Sequence, residues 1–154
     1  MTSDTMTETL SDFMRKKLIT IEESASVQEA ANRMKDKNVS SLVVVDEINR
    51  PLGLITERDL VRKVCIHDVS TSKLIIKEIM SSPLITIDSK SSTSEAADMM
   101  LRNNVRHLLV VDSESSEGLN KPIGIVTPLD FTRSEGYAGS DDNDTIEKLL
   151  EYYI

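Results

Sequence analysis

The sequence predicts a mixed α/β protein in which one plan, strand, helix, strand, strand, helix, is built twice. Three observations carry that prediction. Laying Met14 on Met80 and holding the register without a gap through Asp46 on Asp112 leaves about half of the positions identical, which marks a structural repeat. Within each copy a continuous apolar run, at 42–45 and again from Leu108, has the character of a strand covered on both faces. Ahead of each run stands Ser-x-x-Glu, at 26–29 and 92–95, the signature of a helix start.

Taken in order, residues 18–21 are short and β-branched and read as the first strand. From Ser26 a helix is predicted to about Lys37, with Ala30, Ala31 and Met34 on one face. Residues 42–45 and 53–55 flank the turn-forming Asn49, Arg50 and Pro51 and are expected to pair as a hairpin. A second helix is then predicted from Thr56, with Leu60, Val61 and Val64 as its apolar stripe. The second copy repeats these elements from Ser92, Leu108, Ile123 and Thr127, with a longer loop at 113–121. Residues 73–80 form a short helix leading into the second copy, as 9–14 lead into the first. Domain boundaries follow at 8–69 and 73–134, leaving an acidic segment at 135–154. In that segment 134–144 reads as a solvated loop, and Asp144 to Glu147 caps a last helix with Ile146, Leu149, Leu150 and Tyr153 on one face.

Composition narrows the function. The chain has 154 residues, 39% of them hydrophobic and 29% charged, the balance of a globular protein with an aliphatic core. A net charge of −8 repels a phosphate backbone at long range, which argues against nucleic-acid binding. No run of 18 uncharged apolar residues predicts a membrane span, and the one cysteine, Cys65, excludes an internal disulfide, so a reducing cytoplasm is the expected compartment. Cys65 and His67 supply two metal ligands without a local third, and the 141–144 acidic cluster lacks the spacing of a calcium loop, so no metal is expected. With His67 and His107 the only histidines, and no nucleophile beside a base, no catalytic apparatus is visible and the chain reads as a non-enzyme.

The residues that carry chemistry lie at two strand-to-helix junctions, GLITERD at 53–59 and GIVTPLD at 124–130, which share Gly-x-x-Thr-x-x-Asp. One reading is structural: Thr caps the helix, Asp completes a variant capping box, and Pro128 suits a first helical turn. The other uses the same geometry for a ligand. A helix start offers N–H groups and a positive dipole end to a phosphate, and the Asp carboxylate accepts hydrogen bonds from a ribose diol.

With Leu-Ile-Thr-Ile, the Ala-Ala helix, Asn-Val before a Val-rich strand ending in Asp, and Gly-x-x-Thr-x-x-Asp all duplicated, the sequence resembles the CBS-domain family over nearly all of residues 11–133. Two such motifs resemble the pair called a Bateman module, which implies packing about a pseudo-twofold axis with two clefts. The resemblance further implies binding of AMP, ADP, ATP or S-adenosylmethionine as a regulatory ligand, with no cofactor required, and assembly as a homodimer. Carried over by position, Thr56, Asp59, Thr127 and Asp130 hold phosphate and ribose. Leu18, Ile19, Thr20 and Val39, or Leu84, Ile85, Thr86 and Val105, line the adenine slots. Arg106 and His107 stand where the family often places phosphate-contacting residues, and Ser40 and Ser41 take that place in the first copy. Arg58 has Leu129 as its counterpart, so the two sites draw cations from different elements.

The expected function is therefore a nucleotide sensor that signals to a separate partner protein. An alternative is an interaction scaffold with empty clefts, assembled through the helix at 145–153.

Overall fold

The computed structural model describes residues 8–82, 84–113, 121–133 and 142–153, with side chains described for 121–132 and 145–151 of the last two stretches. Most of the loop expected at 113–121, and the solvated stretch expected at 134–144 as far as residue 141, lie outside these residues. The chain divides into two compact units, Leu18–Leu84 and, together, the described residues up to Lys17 and from Ile85 onward.

In the first unit β1 (Thr20–Glu22), β2 (Ser41–Val45) and β3 (Pro51–Thr56) form a sheet in the order β1-β2-β3. β1 runs parallel to β2, and β3 returns antiparallel, as the turn at Asn49 with its left-handed φ of 63° allows. The first strand starts two residues later than the sequence suggests. Leu18 and Ile19 precede the first paired residue, although the Ile19 carbonyl already accepts the Val43 N–H at 2.9 Å. Between β1 and β2, helix α1 (Val27–Lys37) starts where Ser26 Oγ accepts the Glu29 N–H at 3.1 Å and stops at Asn38 in the left-handed region. Every residue of β2 is buried, as an uninterrupted apolar run requires.

The second repeat copies this plan. β4 (Thr86–Asp88), α3 (Thr93–Asn103), β5 (Leu108–Asp112) and β6 (Lys121–Val126) form a sheet ordered β4-β5-β6 with the same parallel and antiparallel pairings. In α3 the capping box is complete: Ser92 accepts the Glu95 N–H at 3.1 Å and Glu95 accepts the Ser92 N–H at 3.4 Å.

The helix expected from Thr56 is interrupted. One α-turn, α2 (Glu57–Asp59), passes into a π-helical turn, Leu60–Val64, and then a 3-10 turn, Cys65–His67. The wider turn changes the angular phase, so Val64 is buried, Leu60 half-buried and Val61 56% exposed. Val61 therefore leaves the stripe assigned to it. Pro128–Arg133 is likewise a 3-10 turn.

Each lead-in segment packs on the other copy from the one it precedes in sequence. Leu10, in the 3-10 turn Leu10–Asp12, is fully buried in the cluster containing Ile87, Ala96, Met100 and Phe131 of the second repeat. Ile76, in the 3-10 turn Ile76–Glu78, is fully buried with Ile21, Ala30 and Leu42 of the first. Backbone pairing fixes the exchange, with Arg15 bridged to Ile125 and Ser81 to Leu54.

The motif glycines permit that approach. A Cβ on Gly53 would lie 2.6 Å from the Ser81 carbonyl oxygen, and one on Gly124 2.6 Å from Met14 Sδ and 2.9 Å from the Arg15 carbonyl oxygen. Gly53→Ala is expected to cost about 1–3 kcal/mol, because the obstructing oxygen is backbone already bonded to Leu54. Gly124→Ala is expected to cost less than Gly53→Ala, since the flexible Met14 thioether takes the nearest contact. Urea denaturation midpoints of the two variants measure both.

The terminal helix, α4 (Asp142–Tyr153), starts two residues before the cap expected at Asp144. Its Ile146 and Leu149 are buried against α3 and Phe131 of their own unit, with Leu150 half-buried beside them, while Tyr153's side chain lies outside the described residues. The α3 residues Ala97, Met99 and Leu101 belong to that cluster, and their counterparts in α1 are Ala31, Arg33 and Lys35. Ala31 is accordingly exposed, whereas Ala97 is fully buried. The apolar face assigned to assembly in the scaffold reading is thus used inside the chain.

Candidate ligand site

The sheet topology brings the candidate residues of each repeat to one end of its sheet. In the first unit β1 begins at Thr20, β2 begins just after Val39 and Ser40, and β3 ends at Thr56 opposite Ser41. The Glu57 N–H donates to the Ser40 carbonyl at 3.0 Å, tying the start of β2 to the α2 turn. In the second repeat Leu108 pairs with Val126, so Arg106 and His107 enter β5 beside Thr127, near the start of β4 at Thr86. Thr20, Ser40, Thr86 and Arg106 are exposed, and Leu18, Ile19, Val39, Arg58, Ile85, Val105 and His107 are half-buried. Leu84, also half-buried, is the last residue of the first unit, not a part of the second.

At the first junction the Asp59 carboxylate turns back on its own turn. Its Oδ2 accepts the Thr56 N–H at 3.0 Å and the Thr56 hydroxyl at 3.1 Å, while the Asp59 N–H donates to Thr56 Oγ1 at 3.2 Å. Two of the N–H groups at the helix start are thereby satisfied, which is the structural role set beside the ligand role. Its other oxygen, Oδ1, accepts the Ser81 hydroxyl at 3.2 Å and lies 3.3 Å from Lys63 Nζ. Lys63 also donates to the Ile79 carbonyl at 2.9 Å.

The Asp130 carboxylate makes the same contacts with Thr127, but the Asp130 N–H donates to the Thr127 backbone carbonyl at 3.0 Å and not to the hydroxyl. Its Oδ2 accepts the Thr127 N–H at 2.8 Å and hydroxyl at 3.2 Å, and its Oδ1 lies 3.4 Å from Arg15 Nε. The Asp130 side chain is 0% exposed and Arg15's 48%, so the guanidinium joins a buried carboxylate to the surface. An acidic chain of net charge −8 thus holds a cation beside each motif carboxylate, which offsets its charge locally.

Sequence reasoning missed Lys63, Ser81 and Arg15. Lys63 was legible, four residues after Asp59 on one helical face. Arg15 and Ser81 occupy matching places one residue after Met14 and Met80, but a contact 115 residues distant leaves no periodic trace. A further asymmetry is Arg33, which donates to the Thr20 carbonyl at 2.8 Å, where the second repeat has Met99. Among the described residues no cluster of three or more His, Cys, Asp or Glu is placed to hold a metal, and no helix is long and apolar enough to cross a membrane.

A profile of the CBS domain matches residues 10–65 and 76–136. The chain is similar to protein MK0525 of Methanopyrus kandleri, 33% identical over 140 residues that cover 91% of this chain and 69% of that protein. It is also similar to inosine-5'-monophosphate dehydrogenase of Methanocaldococcus jannaschii, 33% identical over 122 residues, 79% of this chain but 22% of the enzyme. Among solved structures, the CBS domain pair of protein MJ0100 in complex with 5'-methylthioadenosine and S-adenosyl-L-methionine matches with a TM-score of 0.68 at 28% identity, covering 82% of this chain and 94% of that one.

Proposed function

On the premise that this chain belongs to the CBS-domain family, we propose that it is a regulatory module in which Thr56 with Asp59, and Thr127 with Asp130, each hold an adenosine nucleotide. The observation that carries the reading is the hydroxyl and carboxylate pair built twice at the same place in the sheet, each beside a cation. The Thr N–H and hydroxyl are donors for a phosphate once the carboxylate turns to a ribose diol, and Asp is the acceptor that diol requires. The ligand class draws support from MJ0100, whose CBS domain pair is complexed with two adenosine compounds. The match to the dehydrogenase spans 22% of that enzyme, and its reaction stays with that protein. In this reading the chain does no chemistry of its own and acts as a homodimer in the cytoplasm. Ligand occupancy shifts a conformational equilibrium that a partner protein reads.

Calorimetric titration with AMP, ADP, ATP and S-adenosylmethionine tests it. At least one ligand is expected to bind below the millimolar range, and absence of heat for all four overturns the reading. Asp59→Ala and Asp130→Ala are each expected to weaken one site by about 1–3 kcal/mol through loss of the carboxylate contact. Each also removes a cap, at a stability cost of about 1 kcal/mol, so affinities are compared below the variants' melting temperatures. Unchanged affinity in both rejects the ribose assignment.

A further inference from the structure

The two motif carboxylates are not equivalent, and the difference lies in the lead-in segments. Arg15 and Ser81 stand at the same place in the repeat, each bridged by backbone to the strand that precedes the motif, each directing its side chain to the motif carboxylate. In one unit that group is a neutral hydroxyl and in the other a guanidinium. We infer that Arg15 is the specificity-determining residue of the Thr127 and Asp130 site, selecting phosphate-bearing over phosphate-free adenosine compounds; this rests on the nucleotide reading above.

Asp130 Oδ2 accepts the Thr127 N–H and hydroxyl, donors that a phosphate takes over, and Oδ1 faces Arg15 at 3.4 Å, with no exposed surface on the side chain. A sugar diol that approaches this carboxylate must share or displace the guanidinium. Arg15 has nitrogen donors beyond the Nε that faces Asp130, and its side chain is 48% exposed, so on displacement it remains a planar fork able to bind a phosphate bidentately. Adenosine offers the displaced cation nothing, whereas AMP offers it a dianion. Among the described residues no arginine pairs with Asp59: Ser81 is uncharged, and Lys63 is already shared between Asp59 and the Ile79 carbonyl. Lys63 has Ser134 as its counterpart in the second copy, which leaves the cation at Asp130 to the lead-in segment.

The test is NMR titration of the full, 15N-labelled chain with AMP and, separately, adenosine. Thr127 and Asp130 amides report one site, and Thr56 and Asp59 amides the other. At the Thr127 and Asp130 site AMP is expected to bind at least tenfold more tightly than adenosine, and Arg15→Ser to lower that ratio at least threefold, the Thr127 donors keeping the remainder. Arg15→Lys is expected to keep part of the preference, and its spectrum also shows whether the lead-in stays docked. The AMP to adenosine ratio at Thr56 and Asp59 is expected to be the same in all three proteins. If Arg15→Ser weakens both ligands equally, or neither, the selectivity role is overturned while the nucleotide reading stands. If neither ligand moves any of these amides in the parent chain, the selectivity role is overturned, and the nucleotide reading falls only if the four-ligand calorimetric panel is silent as well.

Discussion

Phe131→Ala is expected to destabilise the protein by about 3–5 kcal/mol, the largest effect of any single truncation considered. Phe131 is 0% exposed and packs in a cluster that draws on the lead-in (Leu10), the sheet (Ile87, Leu108, Val110, Val126), α3 (Ala96, Ala97, Met100) and the terminal helix (Ile146, Leu149). A ring at the meeting point of four elements leaves a cavity that none can fill alone, since each is held by its own backbone bonds. Phe131 corresponds in the repeat to Leu60, half-buried in the other core. Phe131→Leu is therefore expected to recover most of the loss, the site then holding the side chain the first copy tolerates. Urea unfolding with an unchanged m-value measures both, and a loss under about 1 kcal/mol for Phe131→Ala would contradict the packing described.

Leu10→Ala is expected to cost about 2–5 kcal/mol, and to do so in the second repeat, not the first. Leu10 is 0% exposed, and its N–H donates to the Ser91 carbonyl at 3.0 Å while Ser11 N–H donates to Ser89 at 3.2 Å. Ile76 holds the matching place on the first unit, with its N–H on the Ala25 carbonyl at 2.9 Å. Amide exchange is expected to rise in β4, β5 and β6 for Leu10→Ala, and in β1, β2 and β3 for Ile76→Ala. Faster exchange in β1 to β3 for the Leu10 variant would mean that the lead-in serves the copy it precedes. The burial of each residue, worth about 1.5–3 kcal/mol in transfer alone, is what holds these short segments in place.

These two residues also show where legibility stops. α1 and α3 could be read because Ser26 with Glu29 and Ser92 with Glu95 mark helix starts through contacts three residues apart. The first hairpin could be read because Asp46 organises its own turn: its Oδ1 accepts the Arg50 N–H at 2.9 Å and the Ile48 N–H at 3.0 Å. Those bonds, the Arg50 backbone first, hold the Asp46 carboxyl below the usual carboxylate range. The motif Thr and Asp were legible for the same reason, as partners three residues apart, although the structural and ligand roles share one geometry. The phase change after Asp59, by contrast, exposes Val61 against its periodicity.

By itself the sequence determined that this protein repeats one α/β plan, where the capped helices α1 and α3 and the central strands fall, and which hydroxyl and carboxylate pairs stand at the strand ends. All of these depend on neighbours within a few residues, and such contacts write themselves as spacing. Only the tertiary structure decided which copy each lead-in joins, that the last helix buries its face in its own unit, and that Arg15 and Lys63 supply the cations at the two carboxylates. Lys63, four residues after Asp59, is the exception within local reach. The rest are choices between apolar or charged surfaces far apart in the chain, settled by which contacts pack best together, and no local period records the outcome.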